Sequence, residues 1–244
     1  MENWIAHRFI ILNEHNEKIA LTQVLLKKIP IFGIIARINR GPLLIGEILE
    51  QQNKELIALN TIASLIKESR IRGWRILQIA PELNSTEYAN TRLTNLGLRR
   101  LSIPAWASGL LSLDPNEDEL LMKFNGKWRN CLRKGWRSEI YINKSDVNMK
   151  NLKKVLDSYK KLKQEKKFSG ISEALLEALA LQNGDNWKLN ISIATEKGTN
   201  QTGESVGTLV TVGYGDTTIY LIGITNLKGR KLNANYTLLW EAIL

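Results

Sequence analysis

The sequence is poor in the residues that build covalent and metal-centred chemistry, with one cysteine (Cys131) and two histidines (His7 and His15) in 244 residues. A single thiol cannot close an intrachain disulfide, and it suits a reducing compartment. As a nucleophile Cys131 would need a partner base, yet both histidines lie far from it in the chain, so a buried structural thiol is expected. No clustered Cys/His spacing exists to hold zinc or iron, and no metal is expected. Long apolar runs are missing too. The strongest, IPIFGIIA, spans 8 residues, against about 18 or more for a membrane-crossing helix. The start, MENWIAHRF, lacks a basic segment followed by an apolar one, so no secretory signal is expected and the expected location is cytoplasmic. Negative charge is scarce. Against 34 Lys and Arg stand 24 Asp and Glu, a net charge of +10 with an isoelectric point near 9.6. Such a field favours phosphate, nucleic acid or an acidic membrane leaflet as partner; a generic basic surface is the plain alternative.

What is present fits a globular α/β chain, long enough for one large domain or two small ones. Alternation and β-branched content predict strands at about 7–13, 18–27 and 31–38, the first two joined by the polar turn NEHNE. A helix is predicted over about 46–70 from the spacing of Ile48, Leu49, Leu56, Leu59, Ile62, Ala63 and Ile66. WRILQIA (74–80) reads as a strand ended by Pro81, followed by a helix over about 85–96 that Gly97 stops. Residues 98–113 read as extended. SLDPNEDELL then offers Asp114 as N-cap, Pro115 at the first helical position and acids in the first turn, so one helix is predicted from there to about Gly135. A strand at 139–143, helices at about 146–164 and 171–182, and strands near 188–195, 205–213 and 217–224 follow. A last helix is predicted from near Lys231 onward.

Residues 7–60 and 191–244 share one order: strand, polar turn, strand, strand, glycine loop, helix. Two copies of one α/β unit are expected, with IIARINRGPLL (34–44) aligned over LIGITNLKGRKL (221–232). A glycine loop entering a helix can point free backbone N–H groups at a phosphate or an oxyanion; a structural turn with no ligand is the alternative. Acyl-CoA N-acyltransferases of the GNAT type use such a turn. The nearest match here, RKLNAN from Arg230 to Asn235, has asparagine at both glycine positions, which argues against a bound pyrophosphate.

Residues 127–137 read KWRNCLRKGWR, five cations with two tryptophans and no acid. On a helical wheel Phe124, Trp128, Leu132 and Trp136 share one stripe, expected to face the core. Lys123, Lys127 and Lys134 fall to one side of it and Arg129, Arg133 and Arg137 to the other, an outward face suited to phosphate or an anionic membrane surface. A solvated face with no partner is the alternative. Binding of single-stranded nucleic acid would set aromatic rings among the charges, which this wheel does not do.

LLSLDPNEDELLMKFNGKWRNCLRKG (110–135) resembles the opening of the second domain in FemAB-type aminoacyltransferases, where an acidic helix start leads into K-W-R-x-x-[IL]-x-K. TTIYLIGITNLKGRKLNANYTLLWEAI (217–243) resembles the family's later tyrosine-x-x-glycine strand, polar loop and L-x-W-E-x-I helix, and RINRGPLL its first-domain R-G-P segment. The likeness covers about 18–244. It implies an α/β (α+β) fold of two tandem GNAT-like acyltransferase domains, residues 1–107 and 108–244, with mixed sheets flanked by helices. The first domain would lack its usual N-terminal elements and the second its closing strands, as in a fragment or a shortened relative.

The resemblance further implies transfer of an amino acid or acyl group from an activated ester to an amine of a peptidoglycan or other cell-envelope precursor. Aminoacyl-tRNA would be the donor, a lipid- or nucleotide-linked muropeptide the phosphate-bearing acceptor, and peripheral contact with the inner face of the membrane is expected. No cofactor is expected. The family implies Arg40, Gly41, Lys127, Arg129 and Arg133 as phosphate contacts, Tyr220, Thr225, Asn226 and Lys228 as cleft lining, and Arg230 beside them; no catalytic residue is assigned. An acyl-CoA-dependent GNAT enzyme and a non-catalytic RNA- or anionic-membrane-binding module are the rival readings.

Overall fold

The structure, a computed structural model, describes residues 4–45, 53–103, 108–145, 147, 149–182, 184–196 and 205–244. The chain divides into two compact units, Met1–Ala107 and Ser108–Leu244. The start of the helix predicted from residue 46 and the turn at 198–203 lie outside the described residues.

In the first unit, β1 (Ile5–Leu12), β2 (Lys18–Ile29) and β3 (Gly33–Asn39) form an antiparallel meander, and the two-residue β4 (Leu43–Leu44) pairs with β2 beside β3. Helix α1 (Lys54–Ile71) then crosses to β5 (Trp74–Ala80), which lies parallel to β3. The crossover is driven by an apolar stripe, Ala58, Leu59, Ile62, Leu65 and Ile66, all buried. Val24, Ala36, Ile38, Leu65 and Trp74 make the core beneath it. The last element, α2 (Glu87–Asn95), starts at Thr86, whose hydroxyl accepts from Ala89 N, and stops before Gly97 in the left-handed region at φ 84°.

The second unit holds an antiparallel sheet ordered β6 (Ile140–Ser145), β7 (Lys188–Glu196), β8 (Ser205–Tyr214) and β9 (Thr217–Thr225). Strands β7 and β8 are buried along most of their length because both faces are covered. On one face, Leu152, Val155, Leu156 and Tyr159 of α5 (Met149–Lys166) and Leu176 of α6 (Glu173–Leu181) meet Leu189, Ile191, Val210, Val212 and Ile222. On the other, Ala234 and Leu238 of the final helix meet Ala194, Val206 and Leu209. Each unit thus contains a three-stranded antiparallel meander followed by helix, β1–β2–β3 and β7–β8–β9.

One helix expected to be continuous is broken at an asparagine, and a short helix appears where none was expected. The segment after residue 113 forms α3 (Glu117–Lys123) and α4 (Gly126–Arg137). Asn116, not Asp114, caps α3 by accepting from Glu119 N, so Pro115 stands ahead of the helix. Phe124 is extended at ψ 146°, and Asn125 Oδ1 accepts from Trp128 N at 2.8 Å, starting α4 anew. The predicted final helix is α8 (Ala234–Ile243), and a short helix not expected from the sequence, α7 (Leu227–Lys231), precedes it, the two separated by Asn233 at φ 58°.

Candidate functional site

The second unit contains a cleft of about 160 Å³ between β8, β9 and α8. Strand β9 makes it by a bulge. Val210 pairs with Ile222 and Thr211 with Tyr220, leaving Leu221 unopposed. Residues three apart on a regular strand point to opposite faces; the extra residue brings Tyr220 and Gly223 to the same one. The Tyr220 phenol folds back over Gly223, so a Cβ at Gly223 would collide with its hydroxyl. The floor is Thr208 and Leu209 of β8, and the far wall is Asn235, Leu238 and Leu239 of α8, with Ile224 and Thr225 at the side. Although Tyr220 is 53% exposed as a residue, burial of its folded-back end pushes the phenol pKa above its ordinary 10.0. The neutral phenol is a hydrogen-bond donor over a floor of Thr208 and Leu209.

Of the residues expected in the site, Tyr220 and Thr225 line this cleft. Asn226 and Lys228 are engaged elsewhere. Asn226 caps α7, its Oδ1 accepting from Gly229 N at 2.8 Å while its Nδ2 donates to the Ser205 carbonyl at 3.2 Å. Lys228 pairs with Glu196 at 2.6 Å. The loop therefore does not offer the Gly229 N–H to a ligand, and Gly229 is glycine because a Cβ would strike the Val206 carbonyl oxygen. Arg230 is exposed on α7. In the first unit Arg40, at φ 50°, pairs with Glu82 at 2.8 Å. Gly41, expected as a phosphate contact, is buried, with the space of its absent side chain filled by Ile38 and Thr22, 3.2 Å from an added Cβ.

The basic helix α4 packs on α8. Gly135 lets the two approach closely, since a Cβ there would collide with Thr237 Oγ1. Leu120, Leu132 and Trp240 form the buried centre of this contact. Trp128 stacks on Phe124 at 4.1 Å between ring centroids and meets Tyr236 and Trp240 edge-on, so those rings serve packing as expected. Trp136 departs from the expected core stripe, being 45% exposed at the border of the helix while its ring abuts Trp240. Lys127 and Arg133 are exposed, whereas Arg129 is half-buried with Nη1 2.8 Å from Met122 Sδ. Cys131 is only partly buried; its hydrogen bond with Tyr236, then burial, raises that phenol's pKa.

Asn235 and Gly223 were not among the residues expected to act. Gly223 was visible in the tyrosine-x-x-glycine segment, but its opening of the cleft depends on the bulge at Leu221, which carries no sequence mark.

No family model and no curated protein matches the chain. Among solved structures, the crystal structure of FemX matches with a TM-score of 0.73 at 16% identity, over 98% of this chain and 76% of FemX. The C-terminal domain of a protein described as a lysylphosphatidylglycerol synthetase from Agrobacterium fabrum matches with a TM-score of 0.49 at 12% identity, over 97% of this chain and 65% of that one. An identity as low as that to FemX speaks for architecture alone, and in architecture this chain is FemAB-like, an α+β protein of the GNAT-like kind with two helix-flanked sheets.

Proposed function

We propose that this chain is an aminoacyltransferase of cell-envelope synthesis, passing an amino acid from an activated ester to an amine at the cleft of β8, β9 and α8. The observation that carries the reading is the Tyr220 phenol held over Gly223, an uncharged donor fixed beside Thr208 and Leu209. The FemX-like architecture and the K-W-R and L-W-E-A-I segments support it.

In the reaction a neutral amine attacks the ester carbonyl carbon. A C–N bond forms, the carbonyl oxygen becomes an oxyanion, and collapse breaks the C–O bond and releases the carrier hydroxyl. The amine's proton passes to that leaving oxygen, so no oxidant, metal or covalent enzyme intermediate is required. Tyr220 donates to the oxyanion as a neutral phenol. Thr225 and Asn235 hold the reacting groups in line. The donor is an aminoacyl-tRNA and the acceptor a lipid- or nucleotide-linked muropeptide. Both are anionic, in keeping with the net charge of +10. The cations proposed for the phosphates of the acceptor are the exposed Lys127, Arg133 and Arg230, with Arg129 on the same helix as the first two and, in the first unit, Arg40.

The test is incubation of the full chain with charged tRNA and each acceptor class, followed by mass spectrometry of the acceptor. A mass gain of one amino-acid residue is expected, reduced about 100-fold in rate by Tyr220→Phe. No gain with any charged tRNA, while FemX runs alongside as control, would end the reading. Acyl-CoA is expected to give neither transfer nor thermal stabilisation, because Asn226 already holds the Gly229 N–H and Asn233 replaces a glycine of the CoA turn.

A further inference from the structure

We infer that the outward face of α4 seats this protein on an anionic phospholipid leaflet. The inference does not depend on the transfer reading. Within Gly126–Arg137 there is no acidic residue. Lys127, Arg133, Lys134 and Arg137 are exposed, while Leu132 and Gly135 are buried against α8. At 100° per residue the four cations occupy an arc of about 120° opposite the buried side. Among the described residues none of the four forms a salt bridge. The closest carboxylates in sequence stand at the first turn of α3 and at Glu139, beyond either end of the helix.

One flank of that arc is apolar and exposed. Met122 is 67% exposed and Trp136 is 45% exposed. Between them lies Arg129, seven residues from each, with Nη1 on the Met122 sulfur and a buried Nε that has no hydrogen-bond partner. A thioether is a weak acceptor, so this guanidinium is short of the oxygens its fork is shaped for. A lipid phosphate at this flank supplies oxygens to the outer Nη groups, the buried Nε staying within the protein. Trp136 then sits at headgroup depth with Met122 beside it, the arrangement that holds an amphipathic helix in the interfacial plane. A leaflet fits better than RNA because one exposed ring, Trp136, stands at the flank of the cations, whereas single strands bind in grooves with several exposed stacking platforms among the charges. No helix among the described residues is long and apolar enough to cross a membrane, so the contact lies at the surface.

The test is co-sedimentation of the full chain with vesicles of phosphatidylglycerol and phosphatidylcholine, and with vesicles of phosphatidylcholine alone. Binding is expected to the anionic vesicles only and to weaken at high salt. The joint change Lys127→Ala, Arg133→Ala, Lys134→Ala and Arg137→Ala is expected to lose binding several-hundred-fold, at about five-fold per cation, with an unchanged circular dichroism spectrum. Should that variant misfold, Arg133→Glu alone is expected to lose about 25-fold. Brominated lipid should quench wild-type fluorescence, and Trp136→Phe should remove part of that quenching. Equal binding to both vesicle types, or full binding by the charge variants, overturns the inference. So does binding of tRNA but not vesicles with the same four-residue dependence, which would make the face an RNA surface.

Discussion

Tyr220 and Gly223 work as a pair, because the phenol occupies the space that any side chain at position 223 would need. Gly223→Ala is therefore expected to push the hydroxyl out of the cleft and cut transfer about as deeply as Tyr220→Phe. Stability should change little, since only the free end of a side chain has to move. Melting temperature and transfer rate measured together would separate this from a general loss of folding. The same phenol makes stability depend on alkaline pH. Its folded pKa lies above the ordinary 10.0, so the folded state holds the proton more tightly than the unfolded state does. Stability is full below pH 10.0 and declines as pH rises through the folded value; Tyr220→Phe should remove that share of the decline in melts across alkaline pH. Tyr236, raised by its Cys131 hydrogen bond and by burial, acts in the same direction.

Helices and strands differ in how openly the chain announces them. β5, β7, β8 and β9 come within a residue or so of their predicted spans, because each is a run of β-branched and apolar residues between strong turn signals. The break at Asn125 was hidden, because the residues around it keep an apolar periodicity that reads as continuous, and α7 was hidden because its segment reads as a glycine loop. What ends each helix is one local choice, a side-chain cap at Asn125 and a left-handed backbone at Asn233. Asn125→Ala should accordingly cost about 1 kcal/mol in denaturant unfolding. Gly229→Ala should cost about 1–3 kcal/mol, because the Val206 carbonyl leaves no room for a methyl group. In the site, Tyr220 and Thr225 were legible through the family-like segment, whereas Asn226 and Lys228, in the same stretch, hold α7 in place.

At the scale of the molecule, each compact unit carries its own buried clusters. The meander and α1 enclose one in the first unit, and the two faces of the second sheet enclose others. A fragment of residues 108–244 is predicted to fold alone, with cooperative thermal unfolding and native-like near-ultraviolet circular dichroism; a non-cooperative melt would refute this. Within that unit α8 has two employed sides. Asn235, Leu238 and Leu239 wall the cleft, and Trp240 and Thr237 bear on α4 across Gly135. One helix thus borders both the cationic α4 and the chamber beside Tyr220.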